Sequence, residues 1–179
     1  MTKMKKSFRY SLIAAALMAV APIGAGIINE PATVQAAQKI YGKGSKYTVP
    51  KSLRGTWYTT SSNVKYKTVR IGAHSFNGKT VYHQNKKAIP DSIYNPSTKA
   101  QMSEQSRLMN ATKNIVAGYY TKRANGKYFT FAPWIGFEQW DMFKAKTMRK
   151  NGKTIKYLDY SNGYAGAKYF KSRSLARKY

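Results

Sequence analysis

The residues best suited to chemistry are Glu138 and Asp141, three apart in the segment 134–143 (WIGFEQWDMF). They stand among Trp134, Phe137, Trp140 and Phe143. Two nearby carboxylates can act as general acid and base, and a pair of them is what glycoside hydrolysis needs. Aromatic faces beside polar groups also stack on sugar rings. The plainer assignment is a loop at the mouth of a sheet, with aromatics packing and acids countering lysines. The two histidines offer a second constellation. An Asn77-Gly78 turn pairs His74 with Val81 and sets His83 diagonally across on the same face. Two imidazoles so placed can share a metal, but that hairpin holds no third ligand, and the plainer assignment is two solvated or partly buried rings, with no metal expected. The chain has no Gly-rich phosphate loop, no Cys-x-x-Cys and no serine elbow. With no cysteine at all, disulfide scaffolds, thiol nucleophiles and Cys-ligated zinc are excluded. No cofactor motif is present.

The elements that would position these residues follow from the turns. Asn-Gly occurs at 77–78, 125–126, 151–152 and 162–163, each flanked by β-branched or aromatic residues. Asn-Gly suits the type I′ turn of a two-residue hairpin because both residues tolerate positive φ. Eight strands are predicted, over 53–60, 66–76, 79–86, 114–124, 127–135, 142–150, 153–161 and 164–171. The long connection 88–113 carries a helix at 98–111, with Ser97 as N-cap, expected to cover one end of the sheet. A short basic helix closes the chain at 172–178. The fold class expected is all-β, an eight-stranded antiparallel up-and-down β-barrel, since closure removes the two edges of such a meander. The 151–152 turn sets Lys146 opposite Tyr157, Lys144 opposite Asp159, and Phe143 opposite Tyr160. The 125–126 turn sets Tyr120 opposite Phe131, and Lys122 opposite Phe129.

Residues 1–36 read as a secretory signal: Lys3, Lys5, Lys6 and Arg9, then an apolar stretch, then small side chains ending at Ala36. Residues 37–50 read as a flexible linker, and 51–179 as the barrel domain. Aromatic content of 14% and hydrophobic content of 42% argue against a disordered chain. No later run is long enough to span a bilayer.

At this point a family resemblance emerges. Gly55-Thr-Trp-Tyr58 resembles the Gly-x-Trp signature that opens the first strand of lipocalins and related calycins. In that family the Trp plugs one end of an eight-stranded barrel near a basic residue of the last strand. The resemblance therefore implies that role for Trp57, with Lys168 or Arg173 as its partner. The region from Pro50 to Tyr58 and the Tyr169–Ala176 stretch also resemble the two ends of small secreted proteins of lactic acid bacteria. That likeness implies secretion and a barrel more than an activity.

Charge is the clearest functional feature. The formal net charge is +26. Cleavage after Ala36 removes four bases and one acid, leaving +23 over 143 residues. Solubility does not require so much. Self-repulsion on this scale points to a polyanionic setting. The candidate polyanion-binding residues are Lys122, Arg123, Lys127, Lys144, Lys146, Lys150, Lys153, Lys156 and Lys168. The expected partners are teichoic acid or phospholipid head groups of the envelope, engaged by a monomer with no transmembrane anchor. Nucleic acid would be bound only nonspecifically. A barrel interior near Trp57, Tyr120, Phe129 and Phe131 could hold a small apolar ligand, with Trp134 and Trp140 as further contacts. The competing expectations are an SH3-like or surface-layer-associated module that reads wall glycan, and an enzyme acting on wall polymer through Glu138 or Asp141.

Overall fold

Positive-φ turns organise the chain. Asn77 (φ 47°) with Gly78 (84°), and Asn151 (49°) with Gly152 (71°), reverse it where Asn-Gly predicts. These come from a computed structural model that describes residues 40–136 and 140–179. The chain divides into residues 1–36 and 37–179. All described residues belong to the second unit. The expected signal segment, Phe137 and Glu138 lie outside them.

The strands are β1 (Lys43–Lys46), β2 (Gly55–Tyr58), β3 (Thr68–Ile71), β4 (Ser75–Phe76), β5 (Lys79–Gln84), β6 (Ile115–Arg123), β7 (Gly126–Pro133), β8 (Asp141–Lys150), β9 (Lys153–Ser161) and β10 (Gly166–Phe170). The helices are α1 (Asp91–Tyr94), α2 (Lys99–Thr112) and α3 (Arg173–Lys178), with 3-10 turns at Lys51–Leu53 and Lys86–Ala88. From β2 to β10 each strand lies beside its sequence neighbours, and β10 pairs with β2, so the sheet closes into a ring. One contact departs from the antiparallel expectation. β5 and β6 pair in parallel, because the chain between them passes through α1 and α2 instead of a hairpin.

Among the described residues ten strands appear where the turns predict eight. The predicted strand 66–76 is split into β3 and β4 by a tight reversal closed by Gly72 N–H donating to the Ser75 carbonyl at 2.8 Å. The other addition is β1, inside the expected linker, which pairs with β5. Residues 40–50 are thus docked on the ring instead of forming a free linker: Tyr47 N–H donates to the Val81 carbonyl at 2.8 Å, and Val49 is fully buried. The cause is an apolar pair, Tyr47 and Val49, spaced for one face of an extended chain.

The β8–β9 register is the expected one, with Lys146 opposite Tyr157, Lys144 opposite Asp159 and Phe143 opposite Tyr160. The β6–β7 register is two residues away from expectation: Tyr120 faces Phe129 and Lys122 faces Lys127. Here Gly126 (φ 107°) sits in the ladder opposite Arg123, so the turn centres on Ala124-Asn125. The 162–163 pair forms a wider loop, in which the Asn162 side chain accepts from Tyr164 and Ala165 N–H.

Among the described residues two apolar clusters hold the fold together. Inside the ring lie Trp57, Phe76, Phe129, Phe131, Phe143, Leu158, Tyr160 and Tyr169. The second cluster joins Ile93 of α1 and Leu108 of α2 to Ala117, Ala132 and Trp134. Ala117 and Ala132 alternate with the inward Val116 and Phe131, so α2 covers the outer face of β6–β7, not an end of the sheet. The α2 N-cap is Thr98, not Ser97. A capping box forms there, with Gln101 N–H donating to Thr98 Oγ1 and Thr98 N–H to Gln101 Oε1. Among the described residues no helix is long and apolar enough to cross a membrane.

Candidate functional site

The ring interior is occupied by its own aromatic side chains. Phe76 and Phe131 stack with centroids 4.2 Å apart, and Phe129 meets Phe131 edge-on at 5.0 Å. Three expected ligand contacts, Trp57, Phe129 and Phe131, are therefore packing residues, each at most 2% exposed. Tyr120 is exposed, edge-on to Phe129 and with Lys127 Nζ 4.3 Å from its ring centre. Trp134, expected on a loop, is buried in the second cluster, where its Nε1 donates to the Tyr41 carbonyl at 3.0 Å. Trp140 is partly exposed beneath Lys86 Nζ, 5.8 Å away. Asp141 opens β8 and accepts from the Tyr160 hydroxyl at 2.9 Å. Burial first, then the Asp141 charge, pushes the Tyr160 pKa well up, so that hydroxyl stays a donor. Of the histidines, His74 Nδ1 lies 2.9 Å from the Tyr47 carbonyl, and His83 packs on the Tyr47 ring at 4.2 Å.

Trp57 organises a different feature. The 3-10 turn Lys51–Leu53 buries Leu53, whose carbonyl accepts from Trp57 Nε1 at 2.8 Å. Arg54 follows, its guanidinium donating twice to the Val49 carbonyl, at 2.9 and 2.7 Å. Gly55 then adopts φ 115°, and a Cβ there would collide with Lys171 Nζ. Lys171 uses that room. Its Nζ lies 3.7 Å from the Trp57 ring centre and donates to the Arg54 carbonyl at 2.8 Å. Burial pushes the Lys171 pKa below the ordinary lysine value. The basic partner of Trp57 is therefore Lys171, not Lys168 or Arg173. Lys171 shares the inward parity of Tyr169, whereas Lys168 faces the other way, over Tyr157, and Arg173 has entered α3 over Tyr58.

The second wall comes from β8 and β9. β7 pairs with β8 only over Asp141–Phe143, and β10 pairs with β9 only over Tyr157–Ser161. Lys144–Lys150 and Lys153–Lys156 therefore continue beyond the ring's pairing as a two-stranded ribbon. On the ribbon face that continues Phe143 and Leu158, the residues become Ala145, Thr147 and Lys156, all exposed.

Between this ribbon and the 51–54 turn lies a cleft of about 440 Å³. Lys51, Arg54, Lys146, Lys156 and Lys171 line it around Trp57, and none of its lining residues is acidic. Among the described residues only Lys146 of the five is ion-paired, to Asp159 Oδ2 at 2.6 Å. Asp159 also accepts from the Tyr128 hydroxyl at 2.6 Å. Burial pushes the Asp159 pKa up, but the hydrogen bonds from Lys146 and Tyr128, with the nearby ammonium charges, overcome it and hold the net value below 3.8. A depressed carboxyl pKa means that the unfolded chain binds more protons, so this stability is present above pH 3.8 and is lost as pH falls through the folded value. The urea midpoint of the protein should therefore fall more steeply below that pH than the midpoint of Asp159→Asn; parallel curves would refute the assignment.

Of the expected basic residues, the structure brings Lys146 and Lys156 into the cleft. Lys150 and Lys153 pair beside the ribbon turn, and Lys122 pairs with Lys127. Lys144 and Lys168 flank Asp159 in register, and Arg123 lies opposite Gly126. Sequence reasoning missed Lys51, Arg54 and Lys171. Their signal was present in the two terminal motifs, Pro50–Tyr58 and Tyr169–Ala176, which meet here. The cleft presents cations, hydroxyls and an aromatic floor, and its lining residues include neither a carboxylate nor an imidazole. Such a set can donate charge-assisted hydrogen bonds to phosphate-like groups. No family model, curated protein or solved structure matches the chain.

Proposed function

We propose that this is a secreted, lipocalin-like β-barrel protein retained at the cell envelope by binding phosphate-bearing polyanions, teichoic acid foremost, with the cleft beside Trp57 as the principal contact. The observation that carries this reading is a cleft lined by Lys51, Arg54, Lys156 and Lys171 and by the ion-paired Lys146, with no acid among its lining residues. Each cation that meets a phosphate releases condensed counterions, so affinity is built from many modest contacts and needs no covalent anchor. The lipocalin-like reading is supported by the chain-order ring and by a lysine just after the last strand lying over a buried Trp of the first ring strand.

The test is cosedimentation of the protein with purified cell walls, with and without teichoic acid, across a salt series. Binding should require teichoic acid, and log affinity should fall linearly with log salt. Binding that survives high salt or occurs on stripped walls would replace this reading with glycan recognition.

A further inference from the structure

The cleft beside Trp57 does not stand alone. Against the same 51–54 turn lies a second cavity, of about 190 Å³, bordered by Tyr120 and Lys127. It opens where β7 and β8 part: they pair only over 129–131 and 141–143, so 126–128 and 144–146 leave a gap. Ser52 of the turn and Ala145 of β8 line both cavities. Both side chains are small and exposed, so the two cavities join there into one groove. Neither part has an acid among its lining residues.

Each end of the groove carries exposed cations. Lys51, Lys156 and Lys171 stand at one end. Lys127 stands at the other, its Nζ 4.3 Å from the ring centre of the exposed Tyr120. Lys144 borders that end too, its ammonium donating to the Asn125 carbonyl at 2.8 Å. A single phosphate reaches only one end. A bilayer sets its phosphates on a plane, whereas cations along a walled groove suit one chain. A nucleic acid strand binds through a row of free aromatic faces. The three rings that could offer them each lie under a lysine: Trp57 under Lys171, Tyr157 under Lys168 and Tyr120 under Lys127. We propose that the groove binds one linear poly(polyol phosphate) chain lengthwise, with phosphates on Lys156 and Lys171 at one end and on Lys127 at the other, and polyol carbons against Tyr120. This inference rests on the envelope reading and adds the form of its ligand, an extended chain that crosses Ser52 and Ala145.

The probes are synthetic glycerol phosphate oligomers, a dimer and an octamer, titrated calorimetrically into the protein at low salt beside a single-stranded oligodeoxynucleotide of the octamer's charge. The octamer should bind more tightly than the dimer. Lys127→Gln should weaken octamer binding about fivefold, the loss of one cation contact, and leave the dimer nearly unchanged. Ala145→Tyr should remove the octamer's advantage by blocking the crossing, with circular dichroism reporting whether that variant folds; if it does not, Lys127→Gln decides alone. Lys99→Gln on α2, with the same change of charge, should leave both titrations nearly unchanged. The inference falls, and the envelope reading stands, if octamer binding needs Lys156 and Lys171 but ignores Lys127→Gln and Ala145→Tyr, or if Lys99→Gln costs as much as Lys127→Gln. Failure of the octamer to bind at all would overturn both. Tighter binding of the oligonucleotide would replace the polyol chain by nucleic acid.

Discussion

Trp57→Ala is expected to lower the stability of the protein by about 3–5 kcal/mol, the range for truncating a buried aromatic. Three losses coincide at this position. The indole is 2% exposed and packs in the ring's main cluster, so its removal leaves a cavity that strands on both sides resist closing. The Leu53 carbonyl loses the donor that ties the 51–53 turn to β2. Lys171 loses the ring face beneath its ammonium, an interaction of roughly 0.5–2 kcal/mol. Urea unfolding would report this as a lower midpoint at unchanged slope. Trp57→Phe should fall between the two, because it keeps a ring but not the Nε1 donor. A loss below about 1 kcal/mol for the alanine variant would mean that Trp57 is peripheral to the fold, against the range for buried aromatics.

The second large effect concerns binding. Replacing Lys51, Lys156 and Lys171 together with Gln should weaken teichoic acid binding roughly a hundredfold at low salt, at about 1 kcal/mol for each cation facing an anionic surface. The slope of log affinity against log salt should shrink by about three, one for each phosphate contact removed. Arg54 is left in place because its guanidinium also holds the Val49 carbonyl. The decisive comparison is a second triple variant, Lys122→Gln, Lys150→Gln and Lys153→Gln, with the same net charge and an intact cleft. It should lose much less affinity. Equal losses in the two would show that total charge, not the cleft, does the binding.

The parts of this protein legible in the sequence are those governed by neighbours along the chain. Asn151-Gly152 sets a two-residue turn, and the period of two then places Lys144 opposite Asp159 and Phe143 opposite Tyr160 without reference to the rest of the fold. The helix expected at 98–111, found at 99–112 with its cap on Thr98 and not Ser97, and the short C-terminal helix are also legible, because helix formers act within a few positions. The overall β character and the excess of positive charge needed only composition. The β6–β7 register was not legible, since Gly126 can take its positive φ either within the turn or in the ladder beside it, and packing chooses. Nor was the docking of Tyr47 and Val49, because the carbonyls that hold their N–H groups, Val81 and Ala73, are distant in the chain.

Only the tertiary structure decided where function could reside. Trp134 and Trp140 are neighbours in sequence, yet one is buried under α2 and the other is partly exposed beside Lys86. Lys171 and Arg54 are 117 residues apart, and they meet because the last strand closes the ring beside β2. The sequence by itself determined the turns, the alternation and the charge. Ring closure decided which of the described basic residues line one cleft, because contacts between distant strands depend on the packing of the whole interior and leave no local mark.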